Sequence, residues 1–452
     1  MELTKKDLAE MAEAYRKDTA QHIAEQAVKN NGVHASSERE SVVVTKNNFV
    51  FSVDVDSEAV ANQEQSGRCW MFSCLNFLRF HMERKLKLAK GSFELSQNYN
   101  FFYDKLEKSN FFMENIIKYA GEDLDDRRID FLLTTPQQDG GDWDPMVALV
   151  EKYGVVPREA MPDTNVTLNT AEFNAVLNRL LRQDALELRD MVRSGKSGEE
   201  LDATRRSMLS AIYRMLCVSF GQPPQKVDFE YRDKDNQYHA DFGLTPLEFY
   251  RKYLGDVKLG EIRGVMNLPV EGMEFNKLYT IDMTGEVEGS NRHLRYLNVP
   301  MDVFKQAAID QLKAGEPVWF GCDVTQDSDF QKGILSLDLY DVQNMYGIDL
   351  HMDKGQSFSS HQSAPTHAMM LAGVDLDADG KPIRWKVENS WGAEAHGKPV
   401  GHQGYFIMDD SWFDAYMFEI AVRPEYLPEE YRKTLDAEPA VLPYWNTFNP
   451  EP

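Results

Sequence analysis

The period of the hydrophobic pattern changes once along this chain, and that change restricts the fold more than any other feature. Up to about residue 255 most segments repeat apolar residues every three or four positions, as in TAEFNAVLNRLLRQDALELRDMV and ATRRSMLSAIYRMLCVSF, which predicts helices. Beyond Asn298 one helix, MDVFKQAAIDQLKAG, precedes short β-branched and aromatic runs: PVWFGCDV, HAMMLAGVD, IRWKVENS, GYFIMDD and FEIAVR. A helical first half and an antiparallel second half predict an α+β chain with two unlike lobes. At 452 residues the chain exceeds what one core usually fills, so two packed units or one elaborated unit are expected.

Local signals divide the chain further. Residues 1–40 read as a helical arm, with Leu8, Met11, Tyr15, Ile23 and Ala27 at helical spacing in one helix from Thr4 to about Lys29. SVVVTKNNFVFSVDV, residues 41 to 55, predicts a hairpin or two short strands around its KNN turn. It opens a unit over residues 41–165, in which a helix begins at Cys69 with Ser66 and Gly67 as cap-like residues before it. Residues 166–298 read as a mainly helical insertion, 299–430 as the strand-bearing unit, and 431–452, ending AEPAVLPYWNTFNPEP, as an extended arm.

A formal charge of −24 opposes nucleic-acid binding, which needs a basic footprint on phosphate. The charged start MELTKKDLAEMAEAYRKD has no apolar export region, and no apolar run is long enough to span a bilayer. A cytoplasmic chain without membrane contact is expected. Four cysteines, Cys69, Cys74, Cys217 and Cys322, are too sparse for a disulfide framework and lack the paired spacing of zinc sites. Asp139, Asp142 and Asp144 lack the other ligands of a calcium loop, so no metal is expected.

A thiol at a helix N-terminus meets the positive end of the helix dipole and unpaired N–H groups, which favour the thiolate. Cys69 has that position, though a packing cysteine is compatible with it too. Gln63, on the loop before the helix, has an amide that would join the Cys69 N–H in facing an oxyanion. THAM places His367 at the start of one strand, and ENSWG places Asn389 at the end of the next, with Trp391 two residues on. Adjacent antiparallel strands bring such residues side by side. They make a base, a group that orients it and an aromatic that shields their hydrogen bond from water. Cys74, Cys217 and Cys322 are expected in packing roles, and His351, His361, His396 and His402 on the surface.

In the order NQEQSGRCWMFS, DGGDWD, VWFGCDV, THAM and VENSWG, the sequence resembles the papain-like cysteine peptidases, specifically the bleomycin hydrolase and bacterial aminopeptidase C branch. The resemblance implies a two-lobed fold, a helical lobe and an antiparallel β-barrel lobe, with a large helical insertion. It implies Cys69 as nucleophile, His367 as base and acid, Asn389 as its orienting partner and Gln63 in the oxyanion hole. Gly140, Gly141 and Asp142 would line the substrate cleft. It further implies a cofactor-free cysteine aminopeptidase acting on peptides or unfolded chains, assembled as a homo-oligomer, a hexamer enclosing its active sites. In this family the C-terminal arm resembles a bound product, so the carboxylate of Pro452 would meet the substrate's amino group. Three features depart from the pattern: Asp142 stands where an amide is common, the loop AEAHGKPVGHQG is long, and the tail ends WNTFNPEP. An endopeptidase on the same scaffold is the alternative; a catalytically silent binding protein and a nucleic-acid-binding homologue are the remaining ones.

Overall fold

The helix that starts at Cys69 carries large apolar residues on every side of its first three turns, with only Ser73, Asn76 and Arg79 polar among them, and this decides where it lies. A helix stretch with apolar residues all round must be enclosed on all sides. In the computed structural model, which describes residues 1–55, 60–284, 287–290, 292–395 and 397–449, that helix, α1 (Cys69–Leu86), is the central element. It packs against α2 (Gln97–Lys118) and α3 (Trp143–Tyr153) on one side and against strands on the other. Ser73 donates to the Met369 carbonyl at 2.7 Å, and Asn76 and Arg79 both reach Glu388. His396, Pro450 and Pro452 lie outside the described residues.

The strands are β1 (Val318–Cys322), β2 (His367–Leu376), β3 (Pro382–Glu388), β4 (Tyr405–Asp409) and β5 (Met417–Val422). Their spatial order is β5-β1-β2-β3-β4, and every neighbouring pair is antiparallel. Side chains alternate across this sheet. Trp319, Ala368 and Met370 therefore join the helical core, while Val318, Phe320, Met369 and Leu371 join a second core among the strands. Among the described residues no helix is long and apolar enough to cross a membrane.

Several expectations need correction. The N-terminal helix is two helices, Lys5–Lys17 and Thr19–Asn31, because Asp18 caps the second by accepting from the Gln21 N–H. Residues 41–55 form no hairpin: Glu40–Lys46 is helical, and only Val53–Asp54 is a strand, paired with β2. There the packing of Val43 on Ile334 and Leu339 overrides the β preference of the valines. Neither Ser66 nor Gly67 caps α1; Arg68 holds the N-cap position and makes no side-chain cap bond. Within residues 166–298 the two long helices Ala171–Arg193 and Glu199–Phe220 are followed by the hairpin Val227–Arg232/Tyr238–Leu244. Arg263–Met266, Lys277–Ile281 and Tyr296–Asn298 then extend the main sheet beyond β5, and Ala440–Leu442 is added at its edge.

Candidate active site

Two loops from opposite halves of the sequence meet at the N-terminus of α1. The Gln63 N–H donates to the Ser390 carbonyl at 2.8 Å, the Gly392 N–H donates to Ala61 at 3.0 Å, and Asn62 bridges to Trp391. The segment before Cys69 is thus pinned to the segment after Asn389. Arg68, fully buried, adds a second anchor: its guanidinium donates to Asp163 at 2.8 Å, to the Thr167 carbonyl at 2.7 Å and to the Ser66 hydroxyl at 2.9 Å.

Cys69 is partly buried, and the N–H of Ala368, the second residue of β2, donates to its sulfur. This places the thiol against the strand end that carries His367. The His367 ring is buried, with Nε2 2.8 Å from Asn389 Oδ1. The same oxygen accepts the Ser390 N–H at 2.7 Å, which identifies it as oxygen. Nε2 is then the protonated nitrogen in the neutral ring, and Nδ1 keeps a free lone pair. Trp391 covers the ring at a centroid distance of 4.8 Å and is itself held edge-on by Phe330 at 4.7 Å.

Burial acts on both groups of the site, against the helix terminus at Cys69. Burial raises the Cys69 thiol above its usual range; the N–H groups of Ala368, Trp70 and Cys69 oppose that shift without cancelling it. Burial lowers His367 to about 4, only partly offset by its bond to Asn389. Desolvation outweighs the helix terminus and favours the uncharged form of each group.

Gln63 is buried with its amide spanning two loops: Oε1 accepts from the Ser390 hydroxyl at 2.6 Å, and Nε2 donates to the Ser66 carbonyl at 2.5 Å. An amide NH2 has two hydrogens, so one remains available. Gly141 lies flat on Trp70, where a Cβ would come within 2.6 Å of the indole, so packing alone requires glycine there. Gly140 accepts from Lys108 through its carbonyl. Asp142 is buried, caps α3 through the Trp143 N–H and turns toward Glu419.

Three residues were missed by sequence reasoning. Ser390 joins Asn389 to Gln63, and its only signal was its place inside ENSWG. Arg68 had no signal beyond preceding Cys69. Asp139, weighed only as a calcium ligand, is an anchor for the cleft loop: it accepts from the Gly67 N–H at 3.1 Å, Thr170 at 2.5 Å, Asn174 at 2.8 Å and Lys105 at 2.7 Å. Its carbonyl accepts from the Trp70 indole at 2.8 Å. Burial pushes this carboxyl up, but Lys105 and the two neutral donors more than offset it and hold it below the carboxylate range. Lys105 is fully buried, so Lys105→Met strands the Asp139 charge; we expect a loss of about 3–5 kcal/mol in denaturant unfolding. Cys74 and Cys322 are buried, Cys217 is half-buried, His351 and His361 are exposed, and His402 is half-buried under Phe49 rather than free on the surface. Among the described residues no group of three or more His, Cys, Asp or Glu side chains is arranged to hold a metal ion.

The sequence matches the Peptidase C1-like family over residues 2–449. It is 47% identical over 423 residues to Aminopeptidase C of Streptococcus thermophilus, covering 93% of each chain. It is 43% identical over 446 residues to Aminopeptidase C of Lactococcus lactis subsp. lactis, covering 99% of each. The crystal structure of pepw from Lactobacillus rhamnosis HN001, 44% identical, superposes with a TM-score of 0.95 over 99% of this chain and 98% of that one. The meeting of Cys69 with the His367 strand has its context in these matches: the chain belongs to the Peptidase C1-like family and is a cysteine peptidase.

Proposed function

We propose that this chain is a cysteine aminopeptidase in which Cys69 is the nucleophile, His367 the base and acid, and Asn389 the group that orients His367. The observation that carries the reading is the Cys69 thiol seated on the first residues of β2, with His367 bound through Nε2 to Asn389. The free Nδ1 takes the thiol proton as sulfur attacks the peptide carbonyl. The spare N–H of Gln63 and the Cys69 N–H receive the developing oxyanion. Protonated His367 then releases the amine, and water, deprotonated by the same nitrogen, hydrolyses the thioester. The Gly140 N–H and carbonyl are bonded to Gln138 and Lys108, so Gly141 is the glycine assigned to pair with an extended peptide, and the two cores are read as the two lobes of a papain-like molecule. The relatives named Aminopeptidase C support the choice of N-terminal residues as the product.

The C-terminal arm belongs to the same proposal. Phe448 is buried against Tyr296, Phe358 and Phe418, and Thr447 contacts His361, so the arm is anchored beside β5 as far as Asn449. From that anchor the Pro452 carboxylate is proposed to limit cleavage to chain ends. Assembly into a homo-oligomer, a hexamer by resemblance, is supported by exposed Leu8, Met11 and Ile23 on the first two helices and is tested by light scattering.

Matched peptides with free and N-acetylated termini, resolved by mass, test the activity. Stepwise loss from the free peptide with the acetylated one left intact supports it, and comparable internal cleavage of both selects the endopeptidase. The same pair, given to a chain ending at Asn449, tests the arm.

The pH profile follows from His367. The base must be neutral, and burial lowers its pKa to about 4, so its fraction falls only as pH drops through that value. We expect the acid limb of kcat/KM near pH 4 to 5; a limb at the ordinary imidazole value of about 6.5 defeats the expectation from burial.

A further inference from the structure

The C-terminal arm folds on itself and touches both sides of the site. From Pro443 to Asn449 it is bonded internally: the Asn446 N–H donates to the Pro443 carbonyl at 2.9 Å, the Asn449 N–H to the Asn446 carbonyl at 2.8 Å, and the Asn449 side-chain amide to the Tyr444 carbonyl at 2.7 Å. Such a turn moves as one piece. Tyr444 is buried in the helical core with its ring 4.7 Å from Phe131, whereas Phe448 is buried on the strand side. Phe131 belongs to the helix Arg127–Thr134, which leads into Asp139 and the cleft glycines. Thr447 contacts His361, in the loop that leads into His367. The turn thus links the segment that carries the cleft glycines to the segment that carries the base.

Beside Tyr444 stands a contact that no core requires. Trp445 is 49% exposed, and the guanidinium of exposed Arg127 lies 3.9 Å from its ring centroid, while Tyr444 meets the same indole edge-on at 4.7 Å. An indole left half in water contributes little to a core, so what this arrangement supplies is attraction between the helix Arg127–Thr134 and the arm. That helix is itself fixed at its C-terminal end, where Arg182 donates to the Leu133 and Thr134 carbonyls at 2.8 Å each.

We propose that Arg127 and Phe131 are specificity-determining residues: they latch the arm through Trp445 and Tyr444 and so set how often the cleft opens to the interior of a peptide. The inference rests on the aminopeptidase reading, with the arm as its limit, and deepens it by naming what holds the arm. Cleavage within a chain requires the arm to lift. Because residues 443–449 move together, lifting requires Tyr444 and Trp445 to leave Phe131 and Arg127. Release of an N-terminal residue requires the arm to stay in place. Loosening the latch therefore raises internal cleavage alone, whereas loosening a contact that only held the fold together would lower both activities.

The test uses Trp445→Ala and Arg127→Gln in the full chain; both side chains are exposed, so the fold is expected to survive either change. Matched peptides, free and N-acetylated, are compared by mass. Internal cleavage of the acetylated peptide is expected to rise about tenfold in Trp445→Ala, the combined worth of a surface cation–π contact and an aromatic pair, with no rise in release from the free peptide. Arg127→Gln is expected to give a smaller rise, and Arg127→Lys, which keeps a cation over the ring, a value between that and the parent. An unchanged ratio of internal to N-terminal cleavage in Trp445→Ala and Arg127→Gln, or an equal fall in both activities, overturns the proposal. Hydrogen exchange over residues 443–449 needs no turnover: faster exchange is expected in Trp445→Ala, and unchanged exchange overturns the latch. A chain ending at Asn449 separates the two readings. If it gains internal cleavage while the latch variants do not, the latch alone falls; if it gains none, the arm reading is defeated, and the latch's role in specificity with it.

Discussion

Cys69→Ala is expected to lower kcat/KM by about ten-thousandfold or more while leaving the unfolding transition nearly unchanged. Removing the sulfur removes the only covalent route to the acyl-enzyme, and what remains is binding and oxyanion stabilisation. The fold should tolerate it because Cys69 is only partly buried and its neighbours Trp70 and Arg68 carry the local packing. Cys69→Ser is expected to be almost as inactive, since a hydroxyl gives up its proton far less readily. Cys74→Ala, Cys217→Ala and Cys322→Ala should keep turnover, because none stands at the Ala368 N–H; Cys74 and Cys322 belong to the two cores and would show any cost in stability. Iodoacetamide inactivation traced by mass to any cysteine other than Cys69 defeats the assignment.

The second large effect is at His367. His367→Ala is expected to cost about as much as losing the nucleophile, because a thiol raised by burial does not ionise without a base beside it. Asn389→Ala should cost roughly one to two orders of magnitude less, by analogy with triads in which the orienting group assists proton transfer without performing it. The structure adds a reason: the Ser390 N–H and hydroxyl remain, and Gln63 stays tied to Ser390 through its backbone and its amide. Steady-state kinetics of the two variants, with alkylation rates of Cys69 to report thiolate formation, separate the roles. A nearly active His367→Ala eliminates this mechanism.

Which of these features were legible in the chain depended on their range. Period-3.6 runs such as 171–193 and β-branched runs such as 318–322 report their own conformation, because local propensity and burial agree there. The valines at 42–44 do not, because contacts with Ile334 and Leu339, distant in sequence, override a weak strand preference. The Asp18 break was readable in principle, since an Asp–Thr step is a capping signal, but the apolar stripe continues through it.

By itself the sequence determined an α+β chain, helices first and strands later, with Cys69 at a helix start and His367 and Asn389 at adjacent strand ends. Each of these follows from residues close in the chain. Only the tertiary structure decided that Ser390 ties Gln63 to Asn389, that Asp139 anchors the loop before Cys69 to Lys105, and that Gly321 makes room for Glu419 against Asp142. It also decided how strongly burial acts on the site. The helix terminus readable from position pulls Cys69 toward thiolate, but the burial that outweighs it comes from the second half of the chain folding over the first. Desolvation is a property of everything that surrounds a group, and a linear sequence does not specify that surrounding until the strands have paired.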